Sequence, residues 1–298
     1  MKTKIIVIAI LVIILLSVFS NASALDIKST NDKFTIDTSD EADWTIMLYL
    51  DVDNDIDPLF DDKLKNFEEI YSTESIEIIV LIDNYRQPRW EEKKTSATKL
   101  YHLNYSAGSY DYKEDLGELN MGDPQTLINF VYWSVDNYPA KNYFLSLIDH
   151  GGGWGGICVD ITNGSDALNM SELEYALKSI SLKINKKLDV LFFDACSMGQ
   201  IETYYSIYKY VEYVVSSEAT RVANAGEHYT KIVSELINNP DWSPEQVAIK
   251  TASSFWIGNF ATIAFKTDKI ADIVNEIKNL ATYLINDIKT VVVNFSTS

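Results

Sequence analysis

Cysteine is nearly absent: two in 298 residues, Cys158 and Cys196. That is too few for a disulfide-built scaffold, although one bridge between them stays open. Positive charge is also scarce. Lys and Arg number 25 against 43 Asp and Glu, a formal charge of −18; a surface of that sign repels nucleic acid and anionic membranes and attracts cationic peptides or divalent metals. A nucleic-acid-binding module is thereby disfavoured. After the amino terminus no run is long and apolar enough to read as a membrane span. No clear interdomain linker interrupts the chain. What remains is 47% hydrophobic, a globular composition at a length that suits one large α/β domain or two small ones.

The amino terminus stands apart. Lys2 and Lys4 precede an apolar run from Ile5 to Phe19, and Ala22-Ser23-Ala24 supplies small residues for cleavage. The pattern predicts a signal peptide over 1–24, with an uncleaved anchor as the alternative, and hence a mature protein that works outside the cytoplasmic membrane. Residues 25–41 are polar and read as an exposed linker, leaving 42–298 for the folded domain.

Within that domain one stretch is not generic. Val190-Leu191-Phe192-Phe193 is a short apolar block of strand-forming residues, followed at once by Asp194, Ala195 and Cys196. A second block, Tyr143 to Ile148, ends in Asp149, His150 and three glycines, Gly151 to Gly153. In an open α/β sheet ligands bind in the crevice beyond the carboxyl ends of the strands. Neighbouring strands ending this way would present a thiol and an imidazole from one edge. Cysteine attacks as the thiolate, and a nearby histidine manages its proton. The glycines suit a loop whose backbone approaches a ligand closely, with amides aimed at developing negative charge. Taken singly, a buried structural Cys196 or a satisfied structural His150 explains each residue as well; the pairing favours chemistry.

These segments resemble the clostripain-type cysteine peptidases, a family with the caspase and gingipain fold. The resemblance rests on WTIMLYLDVDNDID (44–57), IEIIVLIDNY (76–85), LGELNMGDPQTL (116–127), FLSLIDHGGGWGG (144–156), LDVLFFDACSMGQIE (188–202) and VVSSEA (214–219). It implies a three-layer caspase-haemoglobinase-like α/β sandwich with a mostly parallel central sheet, and a secreted endopeptidase using a Cys196–His150 dyad. The amides of Gly151 and Cys196 are the candidate oxyanion hole. Asp194 lies two positions before Cys196, so in an extended strand both face one side. In the resembled family the acid at this position is associated with cleavage after Arg or Lys, which would make peptides and proteins with basic residues the substrates. Some members need calcium. The alternating Asp51, Asp53 and Asp55 are the candidate ligands, in a site looser than an EF-hand, whose sixth and twelfth positions here hold Ile56 and Asp62 instead of Gly and Glu. Some members also cut themselves after a basic residue beyond the histidine, but from His150 to Leu177 this chain has no Lys or Arg.

Two other readings stay open: an inactive caspase-like extracellular binding module, and a different α/β hydrolase suggested by His-Gly-Gly-Gly. The latter lacks Gly-x-Ser-x-Gly, and His228 is its only later histidine. Elsewhere the pattern predicts strands at 44–50, 76–82, 98–103, 211–217 and 260–265, an aromatic loop at 105–112, and a surface His102. Helices are expected at 58–70, 124–137, from a Ser171 cap with Glu174 as its box partner, at 200–210, 227–238 and 243–254, and in a long packed amphipathic stretch from 268 to 289. Together these give five or six mostly parallel strands with helices on both faces and a carboxyl-terminal helical addition.

Overall fold

The computed structural model describes residues 41–56, 70–85, 97–106, 109–221, 227–254 and 261–296. The leader 1–24, most of the linker 25–41 and nearly all of the helix expected at 58–70 lie outside them. The described residues fall in one compact unit, Ser39–Ser298.

Ten strands are described. Eight form one sheet: β1 (Ala42–Val52), β2 (Ile76–Asn84), β3 (Ala97–Ser106), β4 (Ser109–Gly117), β5 (Ala140–Ile148), β8 (Leu188–Asp194), β9 (Val211–Ser217) and β10 (Thr262–Lys266), in the order β10-β9-β8-β5-β1-β2-β3-β4. The five central strands β9, β8, β5, β1 and β2 are parallel. The antiparallel β10 closes one edge and the β3–β4 hairpin the other. A small separate hairpin, β6 (Ile157–Asp160) with β7 (Asp166–Leu168), follows the glycine run.

The central strands are apolar on both sides because each face is covered, as parallel sheets require. Alternate residues of β1 sort to opposite layers: Met47 and Tyr49 pack on one side, and Trp44, Ile46, Leu48 and Leu50 on the other. The first layer is completed by α1 (Pro124–Asn137), α2 (Met170–Lys183) and α3 (Ile201–Ile207), through residues such as Leu127, Phe130, Leu173, Leu177 and Ile207. The second is completed by α4 (Glu227–Asn238) and α5 (Pro244–Ser254), through Tyr229, Ile232, Val233, Leu236 and Val247. The result is a three-layer α/β sandwich. Chain order runs outward from β1 to β2, then returns to the other side of β1 for β5, so a topological switch point lies between β1 and β5.

Local capping fixes the helices that flank the site. Asp123 caps α1 by accepting from Gln125 N (2.8 Å), with Pro124 in the first turn. For α2 the cap is Asn169, not Ser171, and its box partner is Glu172, not Glu174: Asn169 Oδ1 accepts from Ser171 N and Glu172 N, and Glu172 Oε2 accepts from Asn169 N.

Three further expectations change. The sheet has eight strands because the end of β3 and the start of β4 together take up most of the stretch read as an aromatic loop, where Tyr and Ser suit an edge strand as well as a turn. His102 is buried, with Nε2 2.6 Å from Glu77 Oε2 and its ring 4.2 Å from that of Tyr138. The last helix, α6 (Ile270–Ser296), buries Ile270 and leaves Ile273, Ile277, Leu280 and Leu284 exposed, so its apolar stripe is not packed over 273–284. No helix among the described residues is long and apolar enough to cross a membrane.

Candidate active site

β5 and β8 are hydrogen-bonded neighbours with Ile148 opposite Asp194, so His150 and Cys196 each lie two residues beyond the last paired position. The tips meet. A Cβ added to Gly151 would sit 2.3 Å from Cys196 O and 3.1 Å from Cys196 N, so only glycine lets the two backbones approach this closely. The bridge between Gly151 and Ile157 runs through the flanking Gly152 N–H, which donates to Gly156 O (2.9 Å), and not through Gly151's own amide. Gly153, at φ +63°, lies against the side chain of Gln200, whose Oε1 accepts from Trp154 N (3.3 Å). The glycine loop is thus tied to the segment that follows Cys196.

Each reactive side chain has its own support. His150 Nε2 is 2.6 Å from Asp55 Oδ1, and this hydrogen bond holds the Asp55 carboxyl below its ordinary pKa. The preceding residue, Asp149, is buried and acts as an anchor: Asn54 Nδ2 donates to its Oδ1 (2.7 Å) and Val159 N to its Oδ2. Burial pushes the Asp149 pKa up to about 7 in spite of these bonds. Beyond β8, Ser197 takes φ +59°, Ser197 N donates to Ala219 O (3.1 Å) and Gly199 N to Ser217 O (2.8 Å), so the cysteine turn is stitched to the exit of β9. Both cysteines are free thiols. Cys158 is fully buried on β6 and its thiol is pushed up by burial, whereas Cys196 is partly exposed.

Asp194 opens on the layer that contains Phe192 and Tyr229, and it is already engaged. Arg221 Nη2 lies 3.1 Å from Asp194 Oδ1, and Tyr229 OH donates to Asp194 Oδ2 (3.2 Å). The Arg221 guanidinium also donates to Thr262 Oγ1 (3.0 Å) and lies 5.3 Å from the centre of the Phe192 ring. The backbone of Arg221 meets the thiol, its N–H 3.1 Å from Cys196 Sγ. Sequence reasoning missed both Arg221 and Tyr229. They follow Cys196 by more than twenty residues, and no spacing rule points to them.

The acidic run divides differently from the expectation. Asp51, Asp53 and Asp55 do not form one ligand set. Asp55 turns to His150, and Asp51 is buried with Oδ1 accepting from Asp53 N (3.3 Å). Asp53 instead joins Asp83, Glu118 and Asp160, with one oxygen from each within 4.8 Å of the others. The correction follows from where the strand ends: β1 stops at Val52, so Asp53 and Asp55 lie in the turn beyond it, where the two-residue alternation no longer lines them up with Asp51, while acids from the exits of β1 and β4 and from β2 and β6 converge. Asp83 is fully buried and neither of its oxygens makes a hydrogen bond of regular geometry; burial, reinforced by Glu118, Asp53 and Asp160, pushes its pKa up to about 8. An orphaned carboxylate among other carboxylates fits a hard divalent cation such as calcium, which takes oxygen ligands of this kind. Reading every acidic strand end together, rather than the 51–55 run alone, would have found Asp83.

In fold, the chain is similar to solved C11 cysteine proteases. A secreted one from Bacteroides thetaiotaomicron, in complex with an irreversible peptide inhibitor, gives a TM-score of 0.60 at 20% identity, over 78% of this chain and 68% of that one. An inactive zymogen from Parabacteroides distasonis gives 0.60 at 21% identity, over 78% and 64%. The chain belongs to the Clostripain family, whose sequence model matches residues 48–297. Clostripain of Hathewaya histolytica is 29% identical over 191 residues, a match covering 54% of this chain and 35% of that protein's length.

Proposed function

We propose that this chain is a secreted cysteine endopeptidase that cleaves after Arg or Lys. The observation that carries the reading is the meeting of the strand tips that carry His150 and Cys196, two residues beyond a carboxylate, Asp194, that already holds a guanidinium. Cys196 attacks the scissile carbonyl carbon as thiolate. The tetrahedral oxyanion is held by the amides of Gly151 and Cys196. The carbon–nitrogen bond then breaks, His150 delivers a proton to the departing amine, and water hydrolyses the thioester to return the thiol. Asp55 on Nε2 leaves Nδ1 as the nitrogen that handles the proton, a positioning role. Asp194 selects the basic side chain, with Tyr229 fixing its second oxygen.

A divalent cation belongs to this reading as a structural element. Asp53, Asp83, Glu118 and Asp160 would hold it, neutralising an acidic cluster beside the His150 loop. Membership of the family supports the chemistry, and the secreted relative supports an extracytoplasmic setting.

The binding-module alternative makes the opposite prediction in one assay. Reduced protein should hydrolyse arginyl peptide amides and leave aspartyl ones intact, and Cys196→Ala should abolish the activity. Inert wild-type protein with an alkylatable Cys196 would favour a binding module. Family membership over residues 48–297 argues against the α/β-hydrolase alternative.

A further inference from the structure

We infer that Arg221 is the resident occupant of the Asp194 pocket, so that the chain blocks its own site and a basic substrate must displace it. The inference rests on the Arg/Lys reading of that pocket and adds what fills it before substrate arrives. A peptide cleaved after arginine has to satisfy two places with one residue, its side chain at the selecting carboxylate and its backbone at the nucleophile. Arg221 reaches both. Its Nη2 is 3.1 Å from Asp194 Oδ1, and its amide nitrogen is 3.1 Å from Cys196 Sγ. The side chain is only 8% exposed, lies against Phe192 and donates to Thr262 on β10. The pocket has a floor, a wall and a charge partner, and a residue of the same chain uses all of them.

The backbone contact argues for a block and not for self-cleavage. Of the two hydrogen bonds between Arg221 and the sulfur, the shorter is the one its N–H donates to Sγ, at 3.1 Å; the longer runs from the thiol to the Arg221 carbonyl oxygen, at 3.7 Å. An amide donor quiets the sulfur's lone pairs and offers it no electrophile. Delivery is built into the fold, because the bonds from Ser197 N to Ala219 O and from Gly199 N to Ser217 O hold the segment just before Arg221 against the cysteine turn. A substrate therefore competes with a tethered arginine.

Competition of this kind lowers apparent affinity by the fraction of molecules whose pocket is open, and leaves the chemical step alone. With a tenth or less of the pockets open, Arg221→Ala and Arg221→Gln should lower KM for an arginyl peptide amide by about tenfold or more, with kcat nearly constant, and should strengthen inhibition by benzamidine to a similar degree. Gln retains a hydrogen-bonding amide for Asp194, so one variant should survive if the other fails to fold. A measurement on the unmodified chain needs no variant: saturating benzamidine should speed alkylation of Cys196 by iodoacetamide several-fold, because displacing the side chain from Asp194 releases the Arg221 backbone that lies against the sulfur. Folded Arg221 variants with unchanged or raised KM, or benzamidine that leaves alkylation unchanged or slows it, would overturn the inference. The two readings fail separately. Variants that prefer arginyl over leucyl substrates without any fall in KM sink the self-block alone, whereas variants with no such preference sink the pocket assignment beneath it.

Discussion

Asp194 and Asp83 sit near the carboxyl ends of two strands of one sheet, β8 and β2, and both are almost entirely withdrawn from water. Their surroundings differ in one respect that decides their chemistry. Asp194 faces a guanidinium and a phenol; Asp83 faces three other carboxylates. A buried carboxylate without a counter-charge must take up a proton or a cation, whereas one paired with arginine stays ionised. The same residue type therefore reads as a selecting group at one end of the crevice and as a cation ligand at the other. Between them, at the switch from β1 to β5, lie His150 and Asp55.

The sharpest break in that comparison is to remove each carboxylate in turn. Asp194→Ala should lower kcat/KM for arginyl peptide amides by about a hundredfold, the cost of truncating one partner of a buried charged pair. Asp83→Asn should leave the ratio of arginyl to leucyl hydrolysis unchanged. A collapse of the ratio in the Asp83 variant would make the two sites one.

Cation binding should separate the sites by a smaller margin. Calcium at a hundred times its dissociation constant should stabilise the wild-type chain by about 2.7 kcal/mol. Asp83→Asn and Asp160→Asn should erase most of that gain, and Asp194→Asn should retain it, as read by thermal unfolding with calcium or chelator. Equal gains in all three would remove the cluster as a cation site.

Without the cation, pH should do part of the same work. The native Asp83 carboxyl, at about 8, binds its proton more tightly than the same group in the unfolded chain, near 4. Unfolding then releases a proton across that window, so the stability of chelated protein should decline as pH rises from about 4 to about 8. Asp149, at about 7, adds a decline of the same sign over a narrower range. Asp83→Asn should flatten the curve, and calcium should help more at pH 8 than at pH 5. A curve that rises over this interval in the chelated protein would contradict the assignment.

The smallest effect belongs to Asp55. Its bond to His150 is exposed, and exposed ion pairs contribute about 1 kcal/mol or less, so Asp55→Asn should slow hydrolysis only a few-fold, mostly through kcat. Loss of calcium stabilisation in this variant would restore Asp55 to the ligand set from which the geometry removes it.

These differences follow what the chain reveals of itself. The parallel centre was legible because strands covered on both faces read as unbroken apolar blocks, Trp44 to Leu50 and Val190 to Phe193 among them. The use of Gly151 was read only in part: three glycines after a strand pointed to a close approach, but to a ligand, whereas Gly151 makes room for the backbone of Cys196. Of the β3–β4 hairpin the first arm was legible and β4 was not, because Tyr and Ser between polar neighbours serve an edge strand and a loop equally. The cation cluster gathers residues more than a hundred positions apart in the chain, and local spacing carries no trace of such convergence. Arg221 was hidden for the same reason, and because a lone arginine after a strand looks like a surface residue until its partners are known.

The central claim is that Cys196 is a nucleophile whose reach is governed by Asp194. Reacting the reduced protein with arginyl and leucyl chloromethyl ketones, then mapping the modified peptide by mass spectrometry, tests it most directly. The account predicts modification at Cys196, faster with the arginyl reagent in wild-type protein by about tenfold or more and with no such preference in Asp194→Ala. Modification of Cys158 instead, or equal rates for both reagents in the wild-type protein, would contradict it.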